Sequence, residues 1–175
     1  MPHRFALATC VLMLLAFAPG CEIGVEPPRH QGTAESSATP PAQSAGHVAR
    51  GHLQFVEGYQ QGVAESTRQA KPMLVFFTAR WCEYCHQMAA EAFTHPQVVN
   101  LSNQFVCVLV DADAEPAVCQ QFQITGYPTL QFLSPRGVPL ERVVGKRPGH
   151  QVMMAMQSAL QHVARRVEAP DAIYR

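Results

Sequence analysis

Six residues in a row, Met73-Leu74-Val75-Phe76-Phe77-Thr78, leave no side of the chain for water. A run of that length, closed by Lys71-Pro72 before it and Ala79-Arg80 after it, reads as a β-strand covered on both faces. A strand buried on both sides demands a layer above and a layer below, so the expected class is α/β: a central mixed sheet with helices on each face. The residues after such a strand emerge at its carboxyl end, where α/β sheets place their chemistry.

That position is held by Ala79-Arg80-Trp81-Cys82-Glu83-Tyr84-Cys85-His86-Gln87-Met88. The letters satisfy two readings. Cys82 and Cys85 form a Cys-x-x-Cys redox pair, and Cys82 to His86 also spells the c-type haem attachment signature. From Cys82 or Glu83 onward, Met88, Ala89, Ala90, Ala92 and Phe93 recur at helical spacing until His95-Pro96 ends the run. The two cysteines therefore bracket the first turn of a helix. Unpaired amide donors and the helix dipole stabilise a thiolate at that position, which makes Cys82 the attacking sulfur. Cys85 lies one turn on and reaches the same sulfur, so it resolves the mixed disulfide.

The rest of the pattern agrees with an α/β domain. Glu57 to Ala70 reads as a helix with Tyr59, Val63 and Ala70 toward one side, and Phe105 to Asp111 as a second buried strand. Ala114 to Phe122 reads as a short helix with Pro116 in its opening turn. Thr129 to Ser134 and Pro139 to Val144, joined through Pro135-Arg136-Gly137, form an antiparallel hairpin. A last helix runs from about Pro148 to Val167 with Val152, Met156, Leu160, Val163 and Val167 on one face.

With these elements in order, the chain resembles the thioredoxin fold from Leu53 to about Val167: strand, Trp-Cys-Glu-Tyr-Cys, helix, strand, then Gly126-Tyr127-Pro128-Thr129 before a hairpin and a final helix. The stretches "KPMLVFFTARWC" and "AFTHPQVV" are especially similar to the carboxy-terminal periplasmic domain of the transmembrane thiol:disulfide interchange reductases. The resemblance implies that Pro128 is cis and faces the cysteine pair, with Trp81, Tyr127 and Pro128 receiving a substrate strand. It also exposes two departures. The buried acid that moves a proton to and from the resolving cysteine corresponds to Phe76, and a nearby lysine to Cys107. Glu83, Tyr84 or water would have to carry that proton. Glu83 also opposes the Cys82 thiolate by like charge, which favours the disulfide and makes the reduced pair a stronger reductant.

The haem reading gives way here, because c-type cytochromes set their motif in small helical domains without a preceding buried strand or a Gly-x-Pro-Thr loop. A non-catalytic thioredoxin-fold binding module is the other alternative; such modules usually lack a cysteine or the proline, and both are present. Cys107 and Cys119 read as inert core thiols, with a second disulfide between them left open by their spacing. Met153, Met154 and Met156 with His150 suggest a copper site only weakly against ordinary core filling, so no metal and no cofactor beyond the cysteine pair are expected.

Thirteen basic and thirteen acidic residues cancel, so neither nucleic acid nor an anionic surface is favoured by long-range attraction. Residues 1–20 read as an export signal: Arg4, an apolar run from Phe5 to Phe17, then small residues. That run is shorter than the ~18 to 20 residues of a spanning helix. Ala18-Pro19-Gly20-Cys21 resembles a lipobox, and lipidating Cys21 leaves four cysteines where simple cleavage leaves five, an odd thiol in an oxidising compartment. Residues 21–50, with Pro27, Pro28, Pro40 and Pro41 among small polar residues, read as a disordered tether spanning roughly 30 Å. Residues 51–169 form the domain and 170–175 a tail. The expectation is a monomeric thiol:disulfide reductase of the periplasm or cell envelope, anchored through Cys21, acting on envelope protein disulfides with electrons from a membrane thiol-redox donor.

Overall fold

The computed structural model describes residues 46–168, so the expected signal, Cys21, the tether before residue 46 and the tail lie outside the described residues. The elements are β1 (His47–Arg50), β2 (Leu53–Glu57), α1 (Tyr59–Gln69), β3 (Met73–Thr78), α2 (Glu83–Glu91), α3 (Pro96–Ser102), β4 (Val106–Asp111), α4 (Pro116–Gln121), β5 (Thr129–Leu133), β6 (Pro139–Val144) and α5 (Gly149–Glu168). The strands form one sheet in the order β1-β2-β4-β3-β5-β6. The inner β2, β4 and β3 are parallel, and β1, β5 and β6 each run antiparallel to their neighbours. The mixed α/β sheet expected from sequence is the sheet observed.

All six residues of β3 are buried because the sheet is covered twice. On one face Leu53, Phe55, Leu74, Phe76, Leu109 and Phe132 pack against Met88, Phe93, Val98, Val152 and Met156 from α2, α3, α5 and the loop after α2. On the other, Val56, Met73, Val75, Phe77, Val108 and Val110 pack against Tyr59 of α1 and Cys119 of α4. The approach of α1 is close at Gly62, where a Cβ would stand 2.3 Å from a Val108 methyl.

Several boundaries differ from the sequence reading, each for a packing reason. His47–Arg50, assigned to the tether, is an edge strand: its four residues pair with Val56 to Leu53 across a tight turn. That turn holds Gly51 at φ +58°, where a Cβ would strike the Ala89 carbonyl oxygen at 2.3 Å. The first helix starts at Tyr59 because Glu57 ends β2 and Gly58 turns at φ 90°. Ala70, expected on its buried side, is the exposed left-handed cap, and the buried stripe is Tyr59, Gly62 and Ser66. Beyond Ala92, His95 caps a separate helix that Pro96 opens. Met156 is fully buried, Met153 packs partly against the core and Met154 is exposed, so the three methionines point apart.

Candidate active site

The chain leaves β3 at Thr78, turns through Ala79 to Trp81 and enters α2 at Cys82, the N-cap residue. The Cys85 and His86 amides both donate to the Cys82 carbonyl, at 3.1 and 3.2 Å. The Cys85 amide also lies 3.2 Å from Cys82 Sγ, which accepts from it. An N-cap side chain that takes a helix amide is the usual solution for the orphan donors of a first turn; here a sulfur fills the role. Cys82 and Cys85 are joined, with S–S 2.05 Å and Cα–Cα 5.2 Å.

The loop expected to receive a substrate is beside them. Thr129 pairs with Phe77 across β5 and β3, which sets the preceding residues next to the end of β3. The Tyr127–Pro128 bond is cis, Pro128 is buried, and the Thr129 hydroxyl donates to the Gly126 carbonyl at 2.8 Å. Tyr127 meets Trp81 edge to face, with centroids 5.9 Å apart. Trp81 and Tyr84 are 67% and 62% exposed, so two large aromatic faces flank a disulfide whose sulfurs are almost covered. The Trp81 indole N–H donates to Asp113 Oδ1 at 3.3 Å, a contact with no signal in the linear sequence.

Glu83 and Tyr84 lie on the solvent side of α2, and Glu83 accepts from Gln87 at 3.1 Å. A cavity of about 520 Å³ opens instead on the other side of the motif. Cys85, His86, Ala89 and Ala90 form one wall, Phe76, Thr78 and Asp111 the floor, and Arg50 and Gly51 of the β1–β2 turn the facing side. Phe76 is apolar for a reason visible in its neighbours: its ring lies 5.8 Å from Phe55 and 5.1 Å from Phe93. Lys146, from the loop before α5, clamps the outer face of α2 through Gln87 and Glu91, at 2.9 and 2.8 Å.

Cys107 and Cys119 are both free thiols, buried on opposite faces of the sheet, so the open question of a second disulfide is resolved against it. Burial pushes the Cys107 thiol up to about 12. Burial also raises Cys119, against a smaller opposing pull from the Tyr127 hydroxyl beside it. Tyr127 is pushed to about 12, first by burial and then by that sulfur.

Residues 54–135 match the thioredoxin-like family. A thioredoxin-like protein of Synechocystis is 36% identical over 87 residues, half of this chain and 80% of that one. The thiol:disulfide interchange protein DsbD of Vibrio vulnificus is 30% identical over 92 residues, half of this chain but only 16% of its own length. Among solved structures, a thioredoxin from Thermus thermophilus superposes with a TM-score of 0.58 at 22% identity, over 68% of this chain and 96% of that one. The chain belongs to the thioredoxin-like family. It is a thiol:disulfide oxidoreductase whose redox-active group is the Cys82–Cys85 pair.

Proposed function

We propose that the protein is an exported reductase of protein disulfides in which Cys82 attacks and Cys85 resolves. The observation that carries the division of labour is the Cys85 amide on Cys82 Sγ. In the reduced state the same donor faces a thiolate, and a hydrogen bond to an ionised acceptor is roughly twice as strong as one to a neutral acceptor. Cys85 has no such position, being one turn inside α2 and 2% exposed. The Cys82 thiolate attacks a substrate disulfide, forming a mixed disulfide and releasing one substrate thiolate, which is protonated. Cys85 then attacks Cys82 Sγ; the second substrate sulfur leaves as a thiol, and two electrons have moved from the pair to the substrate. Trp81, Tyr127 and the backbone at Pro128 hold the substrate strand.

The direction rests on Glu83, whose carboxylate follows Cys82 directly in the exposed first turn and opposes a thiolate there. No cofactor is required beyond the pair. The domain works as a monomer outside the cytoplasm, in the periplasm or cell envelope, with a lipid on Cys21 as anchor, envelope protein disulfides as substrates and a membrane thiol-redox protein as electron donor; nucleic acid has no part.

The test is trapping in the cell envelope. Cys85→Ala should accumulate mixed disulfides with envelope proteins and with the donor, and Cys82→Ala should trap almost none. Equal trapping by both variants would refute the roles. The reduction potential of the pair should lie below about −200 mV, and a value near −120 mV, that of a strong oxidase, would reverse the direction. For the anchor, mass spectrometry of the mature amino terminus should find a lipid on Cys21.

A further inference from the structure

We propose that Asp111 is the proton acceptor for Cys85 during resolution, acting through water in the cavity the two residues share; this rests on the reading that Cys85 resolves. A thiol 2% exposed must lose its proton before it can attack, and the position that carries an acid in the resembled family is Phe76, locked in an aromatic cluster. Cys85 nevertheless borders open space, the cavity of about 520 Å³ under α2. One water occupies about 30 Å³ of liquid volume, so the space accommodates a short chain of them, and its lining supplies the polar partners water needs.

Among the lining residues, Asp111 is the one carboxylate. It ends β4 and pairs in register with Thr78, which ends β3, so both stand under the first turn of α2. Its Oδ1 accepts the Asp113 amide at 2.9 Å, which fixes the carboxylate, while a carboxylate retains further acceptor sites for water. The other charged or titratable groups around the cavity are Arg50 from β1, Arg80 from the motif loop and His86 from α2. The arginines cannot accept a proton. His86 is exposed, and its ring Nε2 meets the Arg80 carbonyl at 3.1 Å, so Nε2 carries a hydrogen and donates it there. Glu83 and Tyr84 stand outside the cavity lining. Behind Asp111, Asp113 holds Trp81 and Glu115 accepts the Tyr59 amide.

The Cys85 proton passes through water to Asp111, the Cys85 thiolate bonds to Cys82 Sγ, and the substrate sulfur leaves with the electron pair of the broken bond. The proton on Asp111 then returns through water to that leaving thiolate. In the opposite direction, when a donor reduces the pair, protonated Asp111 gives the proton back to Cys85.

The reduced full-length chain mixed with an aromatic disulfide reagent releases one chromophoric thiolate on attack by Cys82 and a second on resolution by Cys85. Asp111→Asn retains an oxygen for the Asp113 amide. It should leave the first phase unchanged and slow the second about tenfold or more at neutral pH, the low end or below for general acid–base assistance. The deficit should close as rising pH ionises Cys85 directly. His86→Gln should leave both phases unchanged. In the unaltered protein the second phase should slow roughly twofold in heavy water, because a proton is in flight. An unchanged second phase in Asp111→Asn, the loss appearing in His86→Gln instead, or no isotope effect would overturn the proposal. Failure of the underlying reading looks different: Cys85→Ala would then keep its second phase.

Discussion

Two pairs of cysteines hang on one sheet, and exposure does not distinguish them. Cys82 and Cys85 are 5% and 2% exposed, Cys107 and Cys119 both 6%. The difference is what each sulfur faces. Cys82 caps a helix and takes an amide hydrogen; Cys107 lies within the paired strand β4, packed into the core, and burial pushes its thiol to about 12. Thiol chemistry here follows from the position of a residue within its element, because a helix start leaves backbone donors free and a strand paired on both sides does not.

Activity should divide along that line. Cys82→Ser should lower reduction of insulin by about a thousandfold or more, the scale seen when a nucleophile is removed. Cys107→Ala with Cys119→Ala should stay close to the parent rate. A double variant as inactive as Cys82→Ser would mean that the buried thiols take part in turnover.

A labelling experiment sharpens the same contrast without mutation. In the reduced protein at neutral pH, an alkylating reagent should modify Cys82 quickly and leave Cys107 untouched until the domain opens. For a domain stable by ~5 kcal/mol, global opening alone protects by more than a thousandfold. Peptide mapping after a short pulse reads both sites at once, and comparable labelling would mean that the Cys107 thiol ionises as readily as the sulfur at the helix start.

The support under α2 gives a third test. Gly51→Ala would place a methyl group against the Ala89 carbonyl at a backbone conformation that L residues rarely adopt. The expected loss is about 1 to 3 kcal/mol in denaturant unfolding. Gly62→Ala, which crowds Val108 on the opposite face, should cost a similar amount despite alanine's better helix propensity. Only Gly51→Ala should also alter the resolving phase, since Gly51 borders the cavity on Cys85.

How far the sequence carried these conclusions depended on whether a feature was local. The doubly buried β3, the hairpin, α5 and the Cys82–Cys85 helix start were all readable, because each is a run or a period within one segment. β1 was not: His-Val-Ala-Arg alternates exposed and half-buried residues and becomes a strand only by pairing with β2. In α3 just one residue, Val98, is fully buried, so the segment lacks a helical stripe. The site divided in the same way. The sulfurs and the cis-proline loop were legible, whereas the cavity, Asp111, and the Asp113 bond to Trp81 are made by strands far apart in sequence. The missing acid at Phe76 was visible as a substitution, but its replacement could be sought only in three dimensions.

The smallest effect comes from Cys107 itself. In the unfolded chain its thiol ionises near the ordinary value of 9.0, and in the folded protein only at about 12. Between those values the unfolded state has released a proton that the native state still holds, so stability is full below pH 9 and falls as pH rises toward 12. At pH 10, one unit past the unfolded value, the loss attributable to this one thiol is about 1 kcal/mol relative to neutral pH. The window matters, because Tyr59 and Tyr127 are also raised by burial and add the same sign of effect as the pH reaches and passes their ordinary value of 10.0. Unfolding by denaturant at pH 8 and pH 10, on the oxidised protein so that Cys82 and Cys85 do not titrate, gives the combined loss, and the cysteine variants separate the part due to the buried thiols. Cys107→Ala should remove the largest single share of the decline, and Cys119→Ala a smaller part, because its thiol is raised less and is pulled back by Tyr127. If Cys107→Ala retained the full slope, the sulfur in β4 would have found a way to ionise within the fold, and position in the element would no longer separate the two pairs.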